Sequence, residues 1–146
     1  MKNYIQGLYK PNHPEKYIGD INQIVYRSSW ELRTFKWCDS SPYIIEWSSE
    51  PFPIKYFDSS TDKVRRYFPD LFLKIKDKDQ NIKTYLVEIK PEKYTKPPKK
   101  GRKKTKTFLQ ESATYEKNLS KWNQAKQFCE KNNIIFKILT EKELGI

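Results

Sequence analysis

Three acids and one lysine carry the spacing that chemistry on a phosphodiester would need. Glu88 and Lys90 stand two apart in Tyr85-Leu-Val-Glu-Ile-Lys90, an otherwise apolar run. At the period of a strand they share one face with Leu86, while Tyr85, Val87 and Ile89 take the other. A carboxylate and an ammonium there are costly unless paired or used. The plain alternative is an exposed cross-strand ion pair, worth about 0–1 kcal/mol. Asp70 follows Pro69, 18 residues before Glu88. A hairpin turning at 77–81 would bring both carboxylates to one end, where they repel unless a Mg²⁺ between them removes the penalty. A turn or cap after proline is the other role open to Asp70. Glu31 is the third acid. On a helical wheel it falls between Cys38 and Phe35, inside the arc that should face a sheet. Ser28-x-x-Glu31 is also a capping box, and the pattern leaves cap and ligand both open.

Glu31, Asp70, Glu88 and Lys90 together suit a divalent-metal nuclease. Carboxylates hold Mg²⁺ beside the scissile phosphate, where it acidifies a water and stabilises developing negative charge. Lysine, a compact point charge, holds the phosphate or orients the attacking water. Mg²⁺ is the expected cofactor, with Mn²⁺ as the alternative. The chain has one His and two Cys, 91 positions apart. That argues against zinc chemistry, a Ser-His-Asp triad and a disulfide framework, and for a reducing compartment.

The elements that must position these residues follow from pattern. Residues 1–24 are polar and punctuated by Gly7, Pro11, Pro14 and Gly19, which predicts an irregular arm draped over the body. Residues 25–146 are expected to form one nuclease-like domain. Ser28-Ser29 predicts the start of a helix running to Asp39. Extended runs follow at 43–47, 54–57 and after Pro69, with a turn at 77–81 and a strand from Lys83 to Lys90. Phe108–Lys131 is the longest helical stretch, burying Tyr115, Leu119, Trp122, Ala125 and Cys129. The nearly continuous apolar run 134–139 predicts a strand buried on both faces. Thr140 to Glu143 is a capping box opening a short last helix. Trp30, Trp37, Trp47 and Trp122 are expected in the core, as are Cys38 and Cys129. The order predicts an α/β fold with a central mixed β-sheet flanked by helices.

With 29 Lys and Arg against 18 Asp and Glu, the net charge is +11. Lys93 to Lys106 holds eight basic residues and no acid in 14 positions, so the rest is nearly balanced. The expected partner is double-stranded DNA, gripped by counterion release. Lys96, Lys99, Lys100, Arg102, Lys103, Lys104 and Lys106, in a basic loop at 93–107, are its candidate contacts. Arg65 and Arg66, beside Asp70, join them. A solvated insertion without a ligand is the alternative. No run nears the ~20 apolar residues of a membrane helix, and Met1-Lys2-Asn3-Tyr4 opens no signal-peptide core.

Pro69-Asp70, then Glu88-Ile-Lys90, resembles the PD-(D/E)xK restriction-endonuclease-like nucleases, whose core order is α-β-β-β-α-β. Residues 9–98 resemble more closely the head completion nucleases of T-even-type tailed phages. The match runs through Tyr9-Lys-Pro, Val25-Tyr-Arg-Ser-Ser-Trp-Glu31, Glu46-Trp-Ser-Ser-Glu50, Arg66-Tyr-Phe-Pro-Asp70 and Val87-Glu-Ile-Lys-Pro91. The resemblance implies that Glu31, Asp70 and Glu88 bind the metal and Lys90 is the catalytic lysine. It also implies an endonuclease of the virion head or neck vertex, assembled in the host cytoplasm beside portal or neck proteins and acting at the end of DNA packaging. A non-catalytic DNA- or portal-binding head protein is the alternative. Another is a junction- or transposition-type nuclease, since transposon-encoded endonuclease subunits of this fold are similar. The Gln-x-x-x-Tyr motif of some such nucleases is not assigned, because Gln110 and Tyr115 are five apart.

Overall fold

Side chains at the start and end of α1 (Ser29–Ser40) fix where the arm lies. The computed structural model describes residues 6–99, 101 and 105–146. β1 (Gly7–Leu8) pairs antiparallel with β2 (Val25–Tyr26). Between them the chain wraps over the end of α1. The Ser28 hydroxyl caps the helix by accepting the Glu31 N–H at 3.1 Å. At the other end, Lys16 Nζ donates to the carbonyls of Asp39 and Ser41 at 2.9 and 2.8 Å. This supplies a cation where helix carbonyls lack partners. Tyr9 and Tyr17 set their rings edge-on to Trp47, with centroids 6.1 and 4.7 Å away. These contacts dock the arm on the body.

β3 (Ile44–Ser49), β6 (Leu71–Lys76), β7 (Ile82–Ile89) and β8 (Ile135–Leu139) form the central sheet in the order β3-β6-β7-β8. The first two pairings are antiparallel and β7–β8 is parallel. A parallel pair needs a crossover, and α2 (Lys106–Lys131) supplies it. One face of the sheet packs Trp47, Leu71, Leu73, Val87 and Ile89 against Phe35 and Cys38 of α1. The other packs Leu86 against Trp122, Ala125 and Cys129 of α2. The result is the α/β fold with a central mixed sheet that the element order predicted. Thr140 opens α3 (Glu141–Leu144) with a complete capping box.

Three expectations change. The extended run at 54–57 does not join the central sheet, and residues 63–67, which the pattern did not single out, pair with it instead. They form β4 (Ile54–Asp58) and β5 (Lys63–Tyr67), an antiparallel ribbon of its own. Pro69 separates β5 from β6, because proline cannot donate to a ladder. The 134–139 strand is not buried on both faces, since Ile135 is 45% exposed. β8 is the sheet edge: α2 covers Phe136 and Ile138, whereas α1 packs near β3 at the opposite edge. Trp30, Trp47 and Trp122 are core, but Trp37 is 44% exposed. It lies at the margin of the buried arc of α1, whose centre is Cys38 and Phe35.

Cys38 and Cys129 are buried free thiols. Burial pushes both thiols up, Cys129 to about 11, so they are unreactive core residues.

Candidate active site

Pro69 ends one strand pairing and delivers Asp70 to the head of β6. The register pairs Leu71 with Val87, so Asp70 and Glu88 stand one residue beyond that pair on facing strands. Asp70 Oδ2 accepts the backbone N–H of Ile89 at 2.7 Å, which ties the carboxylate to the end of β7. Glu88 lies on the α2 face with Leu86 and is only 7% exposed. Its Oε1 accepts the Tyr67 hydroxyl at 2.9 Å. Its Oε2 lies 3.7 Å from Lys90 Nζ. The hairpin thus places Asp70 and Glu88 on facing strands at one end, and Glu88 is buried beside a half-buried Lys90.

Tyr67 reports the field at this end of the sheet. Its phenol is pushed well above the ordinary value, first by burial, then by the charges of Glu88 and Asp70 and the bond it donates to Glu88. Two carboxylates bear on one hydroxyl, which stays a protonated donor across the physiological range. No pattern in the sequence marked Tyr67, because β5 reaches Glu88 only through the separate ribbon.

Lys121 was missed as well. It sits on α2 with Nζ 5.5 Å from the Tyr56 ring centroid and 5.8 Å from that of Tyr67. Burial is the main cause that pulls its ammonium below the ordinary lysine value. Glu88 opposes that effect, Lys90 and Lys117 add to it, and Asp58 opposes it. Nearby, Asp58 is buried and accepts from the Ser60 hydroxyl at 2.6 Å, the Thr61 hydroxyl at 3.1 Å and Arg65 Nε at 3.0 Å. Lys117 Nζ lies 3.5 Å away. Led by the Ser60 bond, this network holds the Asp58 carboxyl far below the ordinary range.

Glu31 does not join the pair of acids. Its Oε2 accepts the Ser28 hydroxyl at 3.1 Å, so in this conformation it serves its own helix cap. Among the described residues, no three His, Cys, Asp or Glu side chains form a group that could hold a metal ion. Asp70 and Glu88 remain a donor set of the right kind. Mg²⁺ takes oxygen ligands, and one or two carboxylates with substrate phosphates are its usual holders.

Of the expected DNA contacts, Arg65 is committed to Asp58 and Arg66 lies 5.7 Å from the Phe68 ring centroid. Lys96 is paired with Glu92 at 3.4 Å, and Lys99 and Lys106 are exposed. Lys100, Arg102, Lys103 and Lys104 lie outside the described residues.

Residues 41–141 match the family model for the TnsA-like endonuclease N terminal. Over 142 residues the chain is 42% identical to the head completion nuclease of Enterobacteria phage T4, covering 94% of this chain and 92% of that protein.

Proposed function

The chain belongs to the TnsA-like endonuclease family, and from that premise we propose that it is a Mg²⁺-dependent DNA endonuclease acting in phage head completion at the end of packaging. The observation that carries the proposal is the convergence of Asp70, buried Glu88 and Lys90 at one end of a hairpin, with Tyr67 holding one oxygen of Glu88. Asp70 and Glu88 are the residues to hold Mg²⁺, with Glu31 joining once it leaves its cap. When bound there, the ion supplies Lewis acidity at the scissile phosphate and a more acidic water. Lys90 holds the phosphate or orients the attacking water. Burial strengthens these interactions by lowering the local dielectric. Lys121 adds positive charge on the α2 side of Glu88. Double-stranded DNA is the substrate, and the portal or neck proteins of the head vertex are the partners. No described helix is long and apolar enough to cross a membrane.

The test is incubation of the purified chain with linear and circular duplex DNA, in Mg²⁺, in Mn²⁺ and in EDTA. Cleavage is expected with either metal and none in EDTA. Equal cutting in EDTA would refute the metal assignment. Glu31→Gln keeps an oxygen for the Ser28 hydroxyl but removes the charge. It should leave the melting temperature unchanged while weakening Mg²⁺-dependent cleavage.

The cap role of Glu31 favours one second reading, a head protein that binds DNA or the portal without cutting. Phage infectivity separates the two. A Glu88→Gln phage is dead under the nuclease proposal and viable under the structural one.

A further inference from the structure

The β4–β5 ribbon has one face that the candidate site uses and one that it does not. Inward, Ile54, Tyr56 and Tyr67 are buried against Leu86 and Trp122. Outward stand Lys55, Phe57, Val64 and Arg66, all exposed. Phe57 is paired with Val64 across the ladder and Lys55 with Arg66. Phe57 is 49% exposed and Val64 65%, an apolar pair presented side by side to solvent. Phe68, 43% exposed, extends this surface beneath the Arg66 guanidinium.

This exposure does not come from a loose hairpin. Ser120 of α2 donates to the Phe57 carbonyl at 2.8 Å. Asp58 binds Arg65 within the ribbon and Lys117 on α2. The ribbon is thus pinned to the helix behind it, and its outer face is presented rigidly, which lowers the ordering cost of binding. The four outward side chains include two cations and no acid. Of the hairpin acids, Asp58 is buried and ion-paired with Arg65 and Lys117, while Asp62 stands exposed in the turn. Arg66 is the chain neighbour of Tyr67, whose hydroxyl reaches Glu88 from the inner face of the same ribbon.

We propose that the outer face of the β4–β5 ribbon is a duplex-DNA contact surface. Lys55 and Arg66 engage phosphates, and Phe57 and Val64 press as an apolar wedge against the base edges between them. A two-stranded ribbon fits a DNA groove, and apolar wedges flanked by basic residues are a known means of gripping a deformed duplex. The proposal rests on the DNA nuclease reading and adds to it a surface that holds the duplex.

The test titrates the full chain with a linear duplex in EDTA, which prevents cleavage, over a series of salt concentrations. The Phe57→Ser/Val64→Ser double variant should bind about 10-fold more weakly at every salt, with the salt slope unchanged. The Lys55→Ala/Arg66→Ala variant should flatten the slope by about two. Val64→Thr, which keeps β-branching, serves if the double variant fails to fold, and a smaller loss of the same kind is expected. Wild-type affinity in folded apolar variants would overturn the proposal, while wild-type cleavage with Mg²⁺ would leave the nuclease reading standing. Failure of the wild type to bind or cut duplex would sink both. A wild-type dimer that becomes a monomer in the double variant, with DNA affinity intact, would assign the face to a second copy of the chain.

Discussion

Among the described residues, Asp39 and Glu88 each accept a tyrosine hydroxyl inside the fold, in contrasting surroundings. Asp39, at the end of α1, takes the Tyr9 hydroxyl at 2.6 Å and the N–H groups of Asn12 and His13 at 2.7 and 2.9 Å. Burial works against its charge, but these bonds outweigh it and hold the carboxyl below the ordinary range. Glu88 takes the Tyr67 hydroxyl at 2.9 Å, has the Lys90 ammonium at 3.7 Å and finds no backbone donor among the described residues, and a second acid stands on the facing strand. Asp39 is a clamp whose acceptors are filled by the chain around it. Glu88 shares its field with Asp70, and a cation from outside would relieve that repulsion. The tyrosine–carboxylate pair is common to both, and the neighbourhood sets them apart.

Substitution should pull the two pairs further apart. The largest effect is expected from Glu88→Gln or Lys90→Ala, each lowering cleavage by about 10²-fold or more without lowering the melting temperature. A cleavage assay beside thermal unfolding checks both halves. Tyr67→Phe removes only the hydroxyl that orients Glu88. It should cut activity or metal affinity by about 10-fold, seen as a raised Mg²⁺ requirement. Asp39→Ala inverts the pattern, because three donors lose their acceptor. Unfolding in urea should show a loss of about 2–3 kcal/mol, with cleavage at wild-type rate below the new midpoint. Lost cleavage in a folded Asp39→Ala protein would break the comparison. The smallest effect is in acid. A carboxyl held below its ordinary value of 3.8 contributes fully above that pH and loses its contribution as pH falls through the folded value. Wild type should therefore weaken below about pH 4 more steeply than Asp39→Asn.

Much of this was legible in the chain because the signals are local. Pro69-Asp70, the turn at 77–81 and the alternation through Glu88 place two acids on facing strands by counting alone. Ser28 and Thr140 announced their helices by cap chemistry. Tyr67 and Lys121 were not legible. They reach Glu88 from the ribbon and from α2, and no periodicity within either segment encodes which way the ribbon folds back. The exposed faces of β8 and of Trp37 were missed for a related reason. Apolar content predicts burial, but an edge strand has cover only where a helix lies over it. Glu31 stays divided between its two roles, because the spacing that caps a helix also points the side chain toward the sheet.

The docked arm has a consequence for the order in which the molecule assembles. Residues 9–17 precede their partners in the chain, yet those partners, Asp39 and Trp47, stand together as a surface only once α1 has met β3. The arm must therefore dock late, on a body already formed. A late contact acts on unfolding rather than on folding. Deleting the Tyr17 ring should speed unfolding while leaving the refolding rate nearly untouched. The docked arm then works as the latch that sets how long the native state lasts.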